Sequence, residues 1–140
     1  MSCKSAYMTD DTYFHVPGVA SVRWDAPNRA VLVEWEGCAN TAEFRALLDS
    51  EIKALKDHGG SRLLADCRRQ RVLNPADQER ANREWIPHAI RAGLKRFAIV
   101  LPISDLAADN LRERLSQVPE GTMKVAYFGS VEEARDWLGR

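Results

Sequence analysis

The segment that follows the apolar run at residues 63–65 carries the side chains of this chain best suited to chemistry. It reads DCRRQR and supplies one carboxylate, one thiol and three guanidinium groups: Asp66, Cys67, Arg68, Arg69 and Arg71. A thiolate can act as a nucleophile, and clustered guanidinium groups bind carboxylates and phosphates. The segment is therefore a candidate for either covalent catalysis or anion binding.

Cys67 lacks the partners that a catalytic cysteine needs. A phosphatase-type loop requires an arginine six positions after the cysteine, where this chain has Leu73. His88 is conceivable as a base, but no carboxylate that would orient it is evident. We therefore interpret Cys67 as a small buried hydrophobic side chain. We expect that the protein is not an enzyme, and a cysteine-dependent enzyme is the least favoured alternative. Cysteines and histidines show no zinc-type spacing, and glycines form no phosphate-binding motif, so we expect no metal and no cofactor.

The three arginines precede a predicted helix start, with Asn74 as the N-cap and Pro75 at the first helical position. Free N–H groups and the helix dipole at that end favour an anion, although Asp77 in the first turn opposes one. The alternative is a solvated basic loop with weak surface ion pairs. Asp66, at the end of a predicted parallel strand, either faces a ligand or pairs with a neighbouring arginine.

The predicted helix runs to about Arg91 and places apolar side chains inward, with Pro87 expected to kink it. Lying over the sheet, this helix could serve as a lid above an apolar pocket. Alternatively, its tryptophan, Trp85, is simply packed in the hydrophobic core. The candidate binding site combines the loop with this helix and comprises Asp66, Arg68, Arg69, Arg71, Asn74, Trp85, Ile86 and Ile90.

The spacing of apolar residues predicts the elements that position this site. Strands are expected at residues 20–24, 30–35, 63–65, 97–101 and 123–128, and helices begin near residues 40, 74, 104 and 130. The third helix is expected to bury Leu106, Leu111 and Leu115. The order ββαβαβαβα predicts an α/β fold, a mixed, mostly parallel sheet flanked by helices. Residues 1–19 are expected to form an N-terminal arm or an added edge segment, and residues 20–140 a single domain.

Several segments resemble the bacterial STAS/Sec14-like, or SpoIIAA-like, family. They are LAD at 64–66, NP at 74–75, EWIP at 84–87, GLKRFAIV at 93–100 and the closing helix with Trp137. The resemblance implies the SpoIIAA-like (STAS) fold and either a regulatory protein-binding module or a carrier of a small, lipid-like ligand. Anti-sigma-factor antagonists of this group carry a phosphorylated serine near this helix start. Because no Ser or Thr occurs between Ser61 and Ser104, we expect no such phosphorylation switch.

Composition narrows the choice of partners. Twenty basic and twenty acidic residues cancel among the 140, which disfavours a nucleic-acid binder. Cys3, Cys38 and Cys67 are odd in number and widely spaced, as is typical of reduced cytoplasmic thiols. The chain shows no apolar leader and no run of about 18 apolar residues, so we expect a cytoplasmic protein without an integral membrane segment.

These observations predict a non-catalytic binding or regulatory module. The loop after the third predicted strand and the second helix would engage an anionic ligand or a protein partner. The alternative is a carrier of a small apolar or lipid-like ligand. Peripheral contact with a membrane and a homodimer both stay open.

Overall fold

The computed structural model describes residues 11–139; the first ten residues, including Cys3, and Arg140 lie outside that part. Six strands form one mixed sheet: β1 (Thr12–Val16), β2 (Ala20–Asp25), β3 (Ala30–Trp35), β4 (Arg62–Asp66), β5 (Arg96–Val100) and β6 (Lys124–Phe128). The helical segments are α1 (Thr41–His58), α2 (Pro75–Arg80), a π-helical turn (Ala81–Trp85), α3 (Ile86–Arg91), α4 (Asp105–Leu115) and α5 (Val131–Leu138).

The spatial order of the strands is the same as their order in the chain. The first three strands pair antiparallel, and β3 to β6 pair parallel. Each crossover moves one strand further in the same direction, and such crossovers share one handedness. Consequently α1, the α2–α3 segment and α4 all cover the same face of the sheet. The prediction of an α/β fold with a mixed, mostly parallel sheet is confirmed.

Alternate residues of the strands supply the two cores. Val33, Ala65 and Ile99 point towards the three-helix face and belong to the larger core. Leu64 and Ala98 point the other way and pack under α5. Strand β5 is covered on both faces, as its continuous apolar run predicts. Within residues 11–139, no helix is both long and apolar enough to cross a membrane.

Strand β1 adds a sixth strand to the predicted order. It lies inside the segment expected to be an arm or an added edge, and it pairs antiparallel with β2. The Tyr13 hydroxyl donates a hydrogen bond to Asp57 Oδ2 of α1 at 3.0 Å. Burial, that hydrogen bond and the nearby carboxylates raise the pKa of Tyr13 to about 12, which keeps the hydroxyl a donor. Strand β1 is thus tied to the sheet and to α1.

Local signals place the helix ends where the sequence predicts them. Asn40 and Glu43 form the expected capping box at the start of α1, and Gly59 ends that helix with a φ of 58°. The Asn74 side chain accepts from Ala76 N at 2.8 Å, and Ser104 caps α4. These caps satisfy backbone N–H groups that have no partner within the helix.

The predicted inner face of α4 is wrong at one position. Leu111 and Leu115 are buried as expected, but the Leu106 side chain is 62% exposed. Ala107 and Ala108 face the interior instead. The buried face of the first turn of α4 is therefore formed by two small residues, and the larger Leu106 points outward. The apolar stripe of this helix therefore begins one residue later than predicted.

The second predicted helix contains a π-helical turn instead of a simple kink. The Ile86 N–H donates to the Ala81 carbonyl, five residues earlier. Pro87 has no N–H to offer the carbonyl of Arg83, so the regular hydrogen-bond pattern is interrupted there. The extra residue in the turn directs Trp85 into the core, where it is 5% exposed. Such turns are frequent at functional sites.

Candidate functional site

The basic loop, residues 67–73, lies at the carboxyl edge of the parallel strands. Its backbone is held from both sides: Arg71 N donates to the Gly37 carbonyl at 3.1 Å, and Ile103 N donates to the Arg68 carbonyl at 3.2 Å. The loop is thereby fixed between the segments that follow β3 and β5. This edge is where open α/β sheets commonly bind ligands.

Asp66 and Arg68 bind each other at this edge. Arg68 Nε donates to Asp66 Oδ1 at 2.9 Å, and its Nη2 donates to Oδ2 at 2.7 Å. Burial raises the pKa of Asp66, but hydrogen bonds from the Arg68 side chain and backbone N–H outweigh it, so the net direction is downward. The pairing uses the guanidinium face that an anionic ligand would otherwise contact.

Arg69 and Arg71 make no ion pair with any residue between 11 and 139. Three apolar side chains are exposed in this loop and in the segment that its hydrogen bond to Ile103 N reaches: Val72 at 41%, Ile103 at 82% and Leu106 at 62%. We call these five residues the carboxyl-edge surface. Asn74 is occupied as the cap of α2 and does not extend this surface.

A groove of about 660 Å³ separates α1 from the α2–α3 segment. Its floor is apolar and includes Phe44, Leu48, Ile52 and Trp85. Its rim carries four arginines, Arg45, Arg80, Arg83 and Arg91. This combination suits a ligand with an apolar body and an anionic group.

The charges of the groove are incompletely balanced. Three carboxylates, those of Asp49, Asp77 and Glu84, also line it, leaving one net positive charge with His88 neutral. Asp77 is buried and accepts a hydrogen bond from Thr41 Oγ1 at 3.1 Å. Within residues 11–139, Arg45, Arg80 and Arg91 have no ion-pair partner, whereas Arg83 approaches Glu79 at 3.8 Å.

Trp85, Ile86 and Ile90 face inward from the second helical segment, as the sequence predicts. Ile86 is 3% exposed and Ile90 is partly buried against the main core. Trp85 alone of the three also lines the groove. The structure therefore does not gather the predicted site residues in one pocket; it puts the arginines at the edge of the sheet and the apolar members under the helix.

A small cavity with a mostly apolar lining, here called the chamber, lies beside Trp85 at the carboxyl ends of β3, β4 and β5. Its volume is about 20 Å³. Glu51, Cys67, Gln70, Trp85 and Arg114 supply its polar lining. The groove and the chamber share three wall residues, Phe44, Leu48 and Trp85. These three side chains, Trp85 among them, thus lie between the open groove and the chamber.

Burial dominates the electrostatics of the chamber. It raises the pKa of Glu51 to about 8, with Arg114 opposing the shift. It also raises the pKa of the Cys67 thiol and lowers the pKa of the Arg114 guanidinium. At neutral pH the chamber therefore holds a protonated acid, a thiol and a cation. Arg114 also stands 5.8 Å from the ring centroid of Phe44.

Glu51 and Arg114 do not belong to the site that the sequence predicts, although each leaves a readable signal in the sequence. Glu51 occurs in the apolar stripe of α1, four residues after Leu47 and one before Ile52. Arg114 occurs just before Leu115, three residues after Leu111, at a similar break in α4. An ionisable residue inside an apolar stripe of helical spacing is a candidate for a buried functional group.

No group of three His, Cys, Asp or Glu side chains within residues 11–139 is arranged to hold a metal ion. Comparisons with protein-family models, with curated proteins and with solved structures gave no match.

Proposed function

We propose that this chain is a non-catalytic binding module that carries a small amphipathic anion in the groove between α1 and the α2–α3 segment. The observation that carries the proposal is an apolar floor with an arginine rim. Small-molecule sites commonly enclose about 300–1,000 Å³, and the groove falls within that range. Burying an apolar ligand on this floor would supply affinity, and the rim would select for negative charge.

We also propose the SpoIIAA-like (STAS) fold for this domain. The sequential strand order, the three helical crossovers on one face and the quoted sequence segments support that assignment. The fold does not determine the activity, so the proposed function depends on the groove alone.

The first experiment is native mass spectrometry of gently purified protein, compared with its denatured mass. A bound molecule that is lost on denaturation is the expected result, and its mass identifies its chemical class. The second is a titration with 11-(dansylamino)undecanoic acid, a fluorescent amphipathic carboxylate. We expect saturable binding that weakens as the salt concentration rises.

Variants of the rim test whether the probe occupies the groove. The double substitution Arg45→Ala with Arg80→Ala should weaken binding by about tenfold, since it removes two cations that have no ion pair among residues 11–139. Arg135→Ala is the matched control, because this exposed arginine belongs to α5 on the opposite face of the sheet. Absence of binding, or equal loss in both variants, would contradict the proposal.

The carboxyl-edge surface favours a second candidate, a protein partner with acidic groups around an apolar contact. Ile103 and Leu106 are exposed in the segment whose Ile103 N–H donates to the Arg68 carbonyl, and Arg69 and Arg71 have no ion pairs within the described part of the chain. A purified candidate partner should lose affinity on Ile103→Ser with Leu106→Ser, and should lose salt dependence on Arg69→Ala with Arg71→Ala. A partner that binds all variants equally would argue against this surface.

A further inference from the structure

The chamber contains hydrogen-bond donors without acceptors. Trp85 Nε1 and Glu51 Oε1 are both buried, and neither has a hydrogen-bond partner among residues 11–139. The two residues are 5% and 4% exposed. Arg114 makes no hydrogen bond or ion pair with any residue from 11 to 139. Arg114, although only partly buried, adds a cationic group to the lining of the same cavity as the Trp85 indole, and an anionic acceptor would satisfy both.

Glu51 does not fill that role. The structure records no ion pair between Glu51 and Arg114 at 4.0 Å or less. Burial holds the Glu51 carboxyl in its protonated form at neutral pH, so it too can donate a hydrogen bond. Three potential donors therefore belong to residues that line one small space, and an acceptor with negative charge and more than one lone pair would satisfy them together.

The position of the chamber indicates how such a partner would enter. Trp85, Phe44 and Leu48 form the boundary between the chamber and the groove. Trp85 ends the π-helical turn, where the regular helical hydrogen-bond pattern is interrupted. The chamber as it stands, about 20 Å³, has room for about one water molecule, so a carboxylate would enter only when a displacement of this one side chain joins the two spaces. A ligand could then lie with its apolar part in the groove and its polar end in the chamber.

We propose that the chamber receives the carboxylate of an amphipathic monocarboxylic acid whose apolar chain occupies the groove. The ligand oxygens accept hydrogen bonds from the Trp85 indole, the Arg114 guanidinium and the Glu51 carboxylic acid. A carboxylate fits better than a phosphate because it is flat, carries one charge against one guanidinium and needs less space. The inference rests on the proposed function, since it takes the groove as the binding site.

The test uses dodecanoic acid labelled with ¹³C at its carboxyl carbon, added to the full-length protein. Arg114 supplies the positive charge near the ligand carboxyl, while Glu51, Cys67 and Tyr127 are the other titratable groups close to Arg114. The bound carboxyl signal should stay in its ionised position as the pH is lowered through the range where the free acid protonates. A ligand anchored at the open rim should titrate close to the free acid.

Two variants separate the roles of charge and hydrogen bonding. Arg114→Met keeps the length of the side chain and removes its charge, so affinity should fall by about tenfold or more and titration of the bound carboxyl should return. Trp85→Phe keeps the aromatic packing and removes the N–H, so affinity should fall several-fold with the ionised signal retained. Thermal unfolding of each variant checks that the fold persists, and Trp85→Phe serves if Arg114→Met does not fold.

The outcomes distinguish this inference from the proposed function. Binding that responds to Arg45→Ala with Arg80→Ala, but whose carboxyl signal titrates normally and ignores both chamber variants, overturns the chamber and leaves the groove. If dodecanoate does not bind while the dansylated probe still binds, the proposed role of the chamber is likewise overturned and the proposed role of the groove is not. Absence of binding by both probes overturns the two together.

Discussion

Arg68 holds the carboxylate of Asp66 through two nearly parallel hydrogen bonds, Nε to Oδ1 at 2.9 Å and Nη2 to Oδ2 at 2.7 Å. The Arg68 backbone N–H also donates to Oδ1, at 3.2 Å. The pair closes the end of β4 and sets the direction in which the basic loop leaves the sheet. Of the alternatives for Asp66, pairing with a neighbouring arginine is what the structure contains.

The substitution Asp66→Asn should lower the free energy of unfolding by about 1 kcal/mol. The value is small because half of the Arg68 side chain is exposed and water screens the pair. Chemical denaturation at pH 7 measures the change. Arg69→Ala is the matched control in the same loop, because Arg69 has no ion pair among residues 11–139.

The same substitution should change the pH dependence of stability. The pKa of Asp66 lies below its ordinary value in the folded protein, so the native state binds the proton less tightly than the unfolded state does. The ionised Asp66 carboxylate therefore stabilises the folded protein above the ordinary pKa of 3.8, and this stabilisation is lost as the pH falls through the folded pKa. Wild type and Asp66→Asn should therefore converge in acid; parallel curves would contradict the assignment.

Glu51→Gln should stabilise the protein at alkaline pH. The folded pKa is about 8 against an ordinary value of 4.5, so the folded state keeps a proton that the unfolded state releases. Stability of the wild type should fall as the pH rises from 4.5 to 8 and then level off. Glutamine has no titrating proton, so the free energy of unfolding of the variant should exceed that of the wild type by on the order of a few kcal/mol at pH 8 and by little at pH 4.

Urea denaturation across that pH range measures the difference. Glu120→Gln is the control, because Glu120 is exposed and its substitution does not remove a buried carboxyl group. A constant difference between wild type and Glu51→Gln at every pH would show that the buried carboxyl is not what titrates.

Cys67 should resist alkylation in the folded protein. Its side chain is 2% exposed, and burial raises the pKa of its thiol, so little thiolate forms. Cys38 is exposed and should react with iodoacetamide at the rate of an ordinary surface thiol. Peptide mapping after timed labelling follows each cysteine separately. Labelling of native Cys67 as fast as Cys38 would favour the alternative of a cysteine-dependent enzyme.

Gly37→Ala should destabilise the protein by about 1–3 kcal/mol, because its new Cβ would lie 2.7 Å from the Gly18 carbonyl oxygen. The Gly37 carbonyl also accepts from Arg71 N, so hydrogen exchange at the Arg71 amide should accelerate. Gly129→Ala is the control, since its nearest recorded neighbour would be Glu133 Oε1 at 3.9 Å. An unchanged melting temperature in Gly37→Ala would show that the turn at Gly18 moves freely.

Signals that act within a few residues could be read from the sequence. The capping box at Asn40, the proline after Asn74 and the apolar run at residues 97–101 each determine local backbone structure by short-range hydrogen bonding or burial. They predicted the helix starts and all but one of the strands. Strand β1 was ambiguous because an edge strand pairs on one side only and depends on distant contacts such as that of Tyr13 with Asp57.

The tertiary structure alone decided which side chains meet. Phe44 and Trp85 are 41 positions apart in the chain, yet both line the groove and the chamber. The distance in space between these two side chains depends on how α1 and the π-helical turn pack over the same strands. Glu51 and Arg114 become neighbours in the same way, from helices that each look like ordinary core helices in sequence. Local patterns specify elements and the faces they bury, whereas the space between those faces depends on the packing of the whole domain.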